Sequence, residues 1–304
     1  MKKLFIIFLF AFCFLIFPKA KSYSMEYIIG GKVWYVNWMP WLQDVGQTVG
    51  DRYLGIHSVQ LGGGFMYGGS GSVRITNELT FSASYLYGVL GSDFKYEDRG
   101  LVYGDDLFFR QVGSAIIKRH DLDVALSYSV LSWLKVFVGY KFQPIDMEMK
   151  HEGIEKNYSD GNSTHYNSSV QKGEIFNHCP ALGVGFSLPL SDIFVLSANI
   201  SGLYLKGNMD YNMKRDYYFD ADIDNPDASK SFSTKGKMDL YGWGLNIEPS
   251  IVAIFGGDIL VVLGFRYQMI VLEGEYKGEG ESIKYTEMYD HVYGASLNVM
   301  YRFR

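Results

Sequence analysis

Two short segments contain the residue types that could activate a water molecule. Asp105-Asp106 supplies paired carboxylates, and Asp290-His291 supplies a carboxylate beside an imidazole. Such groups act as general acids or bases only when they lie within hydrogen-bonding reach of the same reacting atom. Neighbouring residues of an extended strand point to opposite faces of a sheet, so neither couple is expected to face one cleft. We therefore expect no catalytic residues and no enzymatic activity.

One acidic segment has the carboxylate density of a calcium-binding loop. Residues 220–227 carry aspartates at alternate positions. An EF-hand loop also needs a glycine at its sixth position and a closing glutamate, and this segment has neither. His151, His165 and His178 flank a Ser- and Asn-rich segment, but their spacing is not that of zinc ligands. We expect neither a metal site nor a cofactor.

Alternating apolar and polar residues predict β-strands along most of the chain. Between Leu79 and Val89 the odd positions are apolar or small, and the even positions begin with Thr80, Ser82 and Ser84. A period of two gives a strand one apolar face and one polar face. Glycine recurs within nearly every such segment and costs an α-helix up to about 1 kcal/mol each time, which disfavours helices. Ten strands are expected, at 27–37, 57–75, 79–90, 119–130, 134–149, 178–190, 193–212, 237–255, 259–276 and 287–303.

Short turns and long charged segments alternate between these strands. The predicted turns lie at 76–78, 131–133, 190–192 and 256–258, and the predicted long loops include 91–118, 150–177 and 213–236. Transmembrane β-barrels have this asymmetry, with short turns in the periplasm and long loops outside. A soluble β-sandwich also alternates, but it does not need its long loops at one end. The sequence therefore predicts an all-β, antiparallel, up-and-down transmembrane β-barrel of about ten strands.

The first 24 residues have the organisation of a secretory signal peptide. Lys2 and Lys3 precede an apolar run from Leu4 to Phe17, and a stretch with small residues follows, ending at Ser24. The run is shorter than the about 20 apolar residues of a membrane-spanning helix, which makes an uncleaved anchor the weaker alternative. We expect residues 1–24 to be removed and residues 25–304 to form the barrel domain.

Composition disfavours two classes of protein. Removal of the four lysines before Met25 would shift the formal net charge from -5 to about -9, which opposes binding to nucleic acid. Cys179 would then be the only remaining cysteine, so no internal disulfide is expected.

Few charged residues are expected to point into the barrel. They are Lys32, Arg74, Asp123, Lys135, Lys141, Glu248, Arg266 and Arg302. The other inward residues are rich in Gly, Ser and Ala, which favours some open volume. Ten strands nevertheless give a barrel only slightly wider than the eight-stranded barrels whose interior is filled by side chains. A narrow channel and a nearly filled barrel both remain open.

The turns also fix which charges face one another. Counting outward from the turn at 256–258 places Glu248 opposite Arg266, and the same count from the turn at 131–133 places Asp123 opposite Lys141. Directly opposed unlike charges stabilise a pair of strands. We predict both ion pairs on the lumen side.

The last strand resembles the C-terminal signature by which outer-membrane barrels are recognised during assembly. An outward stripe from Tyr293 ends in Tyr301 and Phe303, followed by Arg304, whereas the family usually ends on the aromatic residue itself. This resemblance implies the outer membrane of a Gram-negative bacterium as location. It also implies the barrel-assembly machinery, outer-membrane lipid and lipopolysaccharide as partners.

Three functions remain open from the sequence. One is a narrow porin-like channel or small-solute carrier lined by the inward charges. Another is an adhesion or structural barrel at the cell surface, whose loops contact host ligands. The third follows from the ten-strand plan, which resembles that of the omptin proteases and implies a rim protease. The spacing of catalytic residues in that family is not reproduced at Asp105-Asp106 or at Asp290-His291.

Overall fold

The computed structural model describes residues 25–41, 63–102, 105–157, 163–219, 230–278 and 281–303. The predicted signal peptide, the acidic segment 220–227 and the start of the second predicted strand at 57–62 lie outside these residues. Within the described ranges, all ten predicted strands are present and form one closed barrel. Each strand pairs antiparallel with its neighbours in sequence, and the first strand closes the barrel against the last. No helix in this part of the chain is long and apolar enough to cross a membrane.

The strands are β1 (Glu26–Met39), β2 (Gly64–Arg74), β3 (Leu79–Val102), β4 (Asp105–Leu131), β5 (Leu134–Asn157), β6 (Ser163–Pro189), β7 (Phe194–Phe219), β8 (Lys230–Phe255), β9 (Ile259–Gly278) and β10 (Glu281–Phe303). We assign the end of the barrel that carries the short turns to the periplasm, because outer-membrane barrels have short turns there. The strands β3 to β8 are 24 to 27 residues long, whereas about 9–11 tilted residues cross a bilayer. The barrel wall therefore projects well beyond the membrane on the extracellular side.

The outer surface near the turns is apolar, as the alternation predicts. Outward-facing Leu182 and Leu263 are 67% and 59% exposed, as expected of side chains that contact lipid. Exposed aromatic residues border this apolar band on both sides. The inner aromatic belt, near the turns, contains Tyr27, Tyr128, Trp133, Phe194, Phe255, Tyr301 and Phe303. The outer aromatic belt, further along the strands, contains Tyr35, Tyr67, Tyr85, Tyr87, Tyr140, Tyr241, Trp243 and Tyr289.

The short turns have sequences suited to their geometry. In two of them a hydroxyl group closes the turn: the backbone N–H of Leu79 donates to Thr76 Oγ1 at 3.0 Å, and that of Phe194 donates to Ser191 Oγ at 3.1 Å. The turn between β8 and β9 instead uses Gly256 and Gly257, with φ angles of 57° and 83°. Residues with a side chain rarely adopt such positive values, so this turn requires glycine.

The prediction of long loops at 91–118, 150–177 and 213–236 is wrong for most of these residues. Strand pairing continues without a break up to Val102 and Asp105 between β3 and β4, and up to Asn157 and Ser163 between β5 and β6. Outside the membrane the outer face of the wall meets water, so the outward residues become charged and no longer mark a membrane strand. The sequence signal for a strand is lost there although the backbone ladder continues.

Candidate functional site

The interior of the periplasmic half forms a polar chamber. Its volume is about 370 Å³, and it is lined by charged residues together with serines and asparagines. Charged residues of this chamber are Lys32, Asp123, Lys135, Lys141, Glu248 and Arg266. We use the name polar chamber for the space that these six side chains share.

Both predicted ion pairs are present in the polar chamber. Lys141 Nζ lies 2.7 Å from Asp123 Oδ1, and Arg266 Nε lies 2.5 Å from Glu248 Oε1. A third contact joins the two pairs, because Arg266 Nη2 donates to Asp123 Oδ2 at 2.9 Å. Asp123 is on β4 and Arg266 is on β9, so the network crosses the lumen. The Arg266 guanidinium also lies 5.1 Å from the centre of the Trp34 ring, within the range of a cation–π contact.

The other cations of the predicted inward set occupy two different places. Lys32 and Lys135 line the polar chamber, and neither forms an ion pair with the residues that the structure describes. Arg74 and Arg302 instead lie at the periplasmic end, where both bind Glu26, at 2.7 Å and 2.8 Å. The expectation that these two arginines line the lumen is therefore accurate only for its mouth.

The interior of the outer half is apolar, which corrects the expectation of a lumen rich in small and polar residues. We call this packed region the apolar layer. It includes Val36, Met66, Leu86, Ile117, Ile145, Ile175, Leu205, Leu240 and Ile270, none of them more than 2% exposed. The layer begins at the level of the outer aromatic belt, since Leu86 lies between Tyr85 and Tyr87. Large side chains can fill a barrel of this width and exclude water.

At the outer aromatic belt, the apolar face of the wall changes from the outer side to the inner side. On β5, Val136 and Val138 face outward in the membrane, whereas further out Ile145 faces inward and Asp146 is exposed. The same arrangement of a buried apolar residue beside a charged one recurs on four more strands, at Ile117-Lys118, Glu174-Ile175, Leu205-Lys206 and Asp239-Leu240. Beyond the lipid the wall thus has the pattern of a water-soluble protein, apolar inside and charged outside.

A hydrogen-bonded cluster of buried polar residues lies within the apolar layer. Trp38 Nε1 donates to Asp290 Oδ1 at 2.7 Å. Arg119 Nε donates to Asp121 Oδ1 at 2.9 Å, and Gln143 Nε2 donates to the same oxygen at 3.2 Å. The Arg119 guanidinium also lies 5.0 Å from the centre of the Trp38 ring. Buried polar groups of this kind are tolerated because they are paired.

The Asp290-His291 couple considered for catalysis is not brought together. Asp290 faces the interior, whereas the next residue, His291, lies on the other face, 3.3 Å from the hydroxyl of Tyr267. Asp105 and Asp106 begin β4, and their side chains lie outside the described part of the structure. As expected for adjacent strand residues, the Asp/His couple does not face one cleft.

The histidines have structural partners. His120 and His178 lie in the outer aromatic belt, where their Nδ1 atoms hydrogen-bond to the hydroxyls of Tyr85 and Tyr140. His151 is in a strand rather than in the predicted loop 150–177, and it is buried, with Nε2 2.8 Å from Ser169 Oγ. His178 lies in a strand, as predicted. Across the described ranges, no group of three or more His, Cys, Asp or Glu residues could hold a metal ion. The side chain of His165 is outside the described part.

The extracellular rim carries two further cavities. One of about 1040 Å³ is lined by residues of six strands, including Met147, Tyr211 and Lys277. A smaller one of about 570 Å³ lies along β4, β5 and β6 and is lined by Arg110, Ile154 and other residues. The sequence predicts neither cavity, because all residues of the smaller one and about half of those of the larger one belong to the predicted loops.

Comparison with known proteins finds structural likenesses but no family. No family model matches the chain, and no curated protein matches it. Among solved structures, the outer membrane protease OmpT from Escherichia coli is 7% identical, with 94% of this chain and 99% of that chain covered and a TM-score of 0.48. The outer membrane protein OprG from Pseudomonas aeruginosa is 14% identical, with 92% and 97% covered and a TM-score of 0.35. The toluene transporter TbuX from Ralstonia pickettii is 8% identical, with 93% and 90% covered and a TM-score of 0.27. These likenesses concern the overall architecture of outer-membrane β-barrels, and no residue-level comparison follows from them.

Proposed function

We propose that this outer-membrane β-barrel is closed to free diffusion and acts at the cell surface, through the part of its wall that projects beyond the membrane. The observation that carries this proposal is the apolar layer, whose side chains are packed across the outer half of the lumen. Ions and polar solutes do not cross a constriction filled by packed side chains, because they would lose their hydration without gaining new polar partners. The buried carboxylates of this layer, Asp121 and Asp290, already accept hydrogen bonds from neighbouring side chains.

The outer face of the projecting wall is charged, which suits a surface in contact with water. Its outer face carries ion pairs, such as Glu148 with Lys150 on the same strand at 2.9 Å and with Lys172 on the neighbouring strand at 3.5 Å. The hydrogen bond from Lys150, and then the charges of Lys150 and Lys172, lower the pKa of the Glu148 carboxyl. Exposed pairs contribute about 0–1 kcal/mol each, so the apolar layer inside must supply most of the stability of this region.

An apolar patch on this projecting wall supports a binding role. Val112 and Tyr166 are both 45% exposed and, together with Ile154, line the smaller rim cavity beside Arg110. Above the membrane these side chains have no lipid to cover them. Exposed apolar groups rimmed by charged ones are typical of surfaces that contact another molecule. A ligand on another cell or in the surroundings would meet this surface first.

A narrow channel or small-solute carrier is the second candidate, and the polar chamber is the observation that favours it. The chamber supplies a path lined by charged and polar residues through the periplasmic half of the barrel. A solute would still have to displace the apolar layer in order to cross. The two candidates therefore differ in whether the purified barrel conducts ions.

Conductance of the mature protein in a planar bilayer separates them. We expect no stable unit conductance from the natural sequence. Replacing three residues of the apolar layer, by Leu86→Ala, Leu205→Ala and Leu240→Ala together, should produce measurable conductance because the constriction is widened. The matched control changes three outward leucines, by Leu182→Ala, Leu245→Ala and Leu263→Ala, and should remain closed.

Heat-modifiable migration on a denaturing gel verifies that each variant still forms a barrel. Stable conductance from the natural sequence would contradict a closed barrel and favour the channel. A folded layer variant that stays closed would show that the apolar layer is not what closes the lumen.

A further inference from the structure

The charges of the polar chamber do not balance. Four of its charged residues are cationic and two are anionic. Both carboxylates are already engaged, since Asp123 binds Lys141 and Arg266, and Glu248 binds Arg266. Lys32 and Lys135 are left without an ion pair among the described residues. At neutral pH the chamber thus has an excess of two positive charges over its own carboxylates.

One of these cations is also buried with a donor atom that has no hydrogen-bond partner. Arg266 is only 7% exposed, and its Nη1 atom has no hydrogen-bond partner, although Nε and Nη2 are bound to carboxylates. A buried charged donor without a partner costs more free energy than an ordinary unmade hydrogen bond. Glu248 and Asp123 cannot relieve this cost, because Arg266 already binds both through its other nitrogens.

The surroundings of these cations can supply neutral donors. The wall of the polar chamber includes Ser82, Ser84 and Ser127, whose hydroxyls can donate hydrogen bonds. A volume of about 370 Å³ is several times the roughly 30 Å³ that one water molecule occupies in the liquid. A small polyatomic ion can therefore enter with part of its hydration shell.

We propose that the polar chamber is a binding site for a small oxyanion, of the size of phosphate or a short carboxylate. The ammonium groups of Lys32 and Lys135 hold the ion, the guanidinium of Arg266 adds its positive charge beside them, and serine hydroxyls complete the hydrogen bonds of the ion. Guanidinium and ammonium groups are the protein donors best matched to phosphate and carboxylate oxygens. This inference goes beyond the proposed surface role, because it concerns the periplasmic half of the barrel and needs no conduction.

Isothermal titration of the detergent-solubilised protein with inorganic phosphate tests the proposal. We expect saturable binding of one phosphate per barrel, and saturable binding of acetate in a parallel titration. Lys135→Met and Lys32→Met should each weaken phosphate binding about tenfold or more, since each removes one charge-assisted hydrogen bond. The charge-preserving Lys135→Arg should retain it. The matched control is Lys118→Met, because Lys118 is exposed on the outer face beyond the lipid.

The outcomes are separable from those of the conductance experiment. Absence of saturable heat with both anions overturns the site even if the barrel proves closed. Equal phosphate binding by the natural protein and by a folded Lys135→Met variant also overturns it, since the ion would then bind elsewhere. Phosphate binding that depends on Lys32 and Lys135 supports the site whether or not the barrel conducts.

Discussion

At the residue scale, Asp123 is the carboxylate on which the interior network depends. It forms an ion pair with Lys141 and accepts a hydrogen bond from Arg266, so it neutralises cations on β5 and on β9 at once. Removing one partner of a buried ion pair leaves an uncompensated charge, which typically costs about 3–5 kcal/mol. The network therefore ties together parts of the wall that share no backbone hydrogen bonds.

We expect Asp123→Asn to lower the free energy of unfolding by about 3 kcal/mol, because Lys141 and Arg266 would lose their shared countercharge. Urea unfolding of the barrel in lipid vesicles, followed by tryptophan fluorescence, measures this change. The control is Asp146→Asn, since Asp146 is exposed on the outer face of the projecting wall. A loss below about 0.5 kcal/mol for Asp123→Asn, the level typical of surface substitutions, would mean that water replaces the carboxylate.

The sequence could predict those ion pairs that lie across a single hairpin. Asp123 with Lys141, and Glu248 with Arg266, follow from counting residues away from a turn. The bond between Asp123 and Arg266 could not be found in this way, because it crosses the lumen and depends on the diameter and shear of the closed barrel. Glu26, which binds Arg74 and Arg302, precedes the predicted start of the first strand and was missed for that reason.

At the element scale, the preference for glycine in the turn between β8 and β9 comes from backbone conformation and not from a lack of room for a side chain. Gly256 has a φ of 57°, and a Cβ atom added there would meet no other atom within 4 Å. A residue with a side chain pays about 1–2 kcal/mol to adopt the left-handed conformation. Steric crowding therefore adds nothing to the cost of a substitution at this position.

We expect Gly256→Ala to lower the free energy of unfolding by about 1 kcal/mol, through backbone strain alone. The control is Gly202→Ala on β7, where an added Cβ also meets nothing within 4 Å but φ is not positive. Unfolding curves of the two variants in the same detergent provide the comparison. Equal stability of the two variants would show that the turn relaxes to another conformation.

Strands within the membrane could be predicted from the sequence, but their extensions could not. Between the aromatic belts the two faces of a strand meet lipid and water, so alternation is strong, as at Val136 and Val138. Further out, the charged residues of β5 and β6 resemble those of a loop. Their cross-strand pairing is visible only once the register is known, for example between Glu148 and Lys172.

At the scale of the whole molecule, two solvents explain why one barrel has two kinds of interior. Where lipid surrounds the wall, the apolar side chains face outward and the lumen contains the polar chamber. Where water surrounds it, the apolar side chains face inward and form the apolar layer. The hydrophobic effect acts in the same direction in both regions, because it removes apolar surface from water each time. The projecting wall thus has its own core, which fits a role at the cell surface.

Four aspartate substitutions test this exchange of faces. In the membrane, outward Val138→Asp should destabilise the barrel, because a charge faces lipid, whereas inward Ser82→Asp should be tolerated in the cationic polar chamber. Beyond the membrane, the inward substitution should be the destabilising one and the outward substitution the tolerated one. Inward Leu240→Asp should cost at least about 2 kcal/mol by burying an unpaired charge, whereas Lys235→Asp on the exposed face should be nearly neutral. Unfolding free energies in vesicles measure all four, and a tolerated Leu240→Asp would mean that water already reaches the apolar layer.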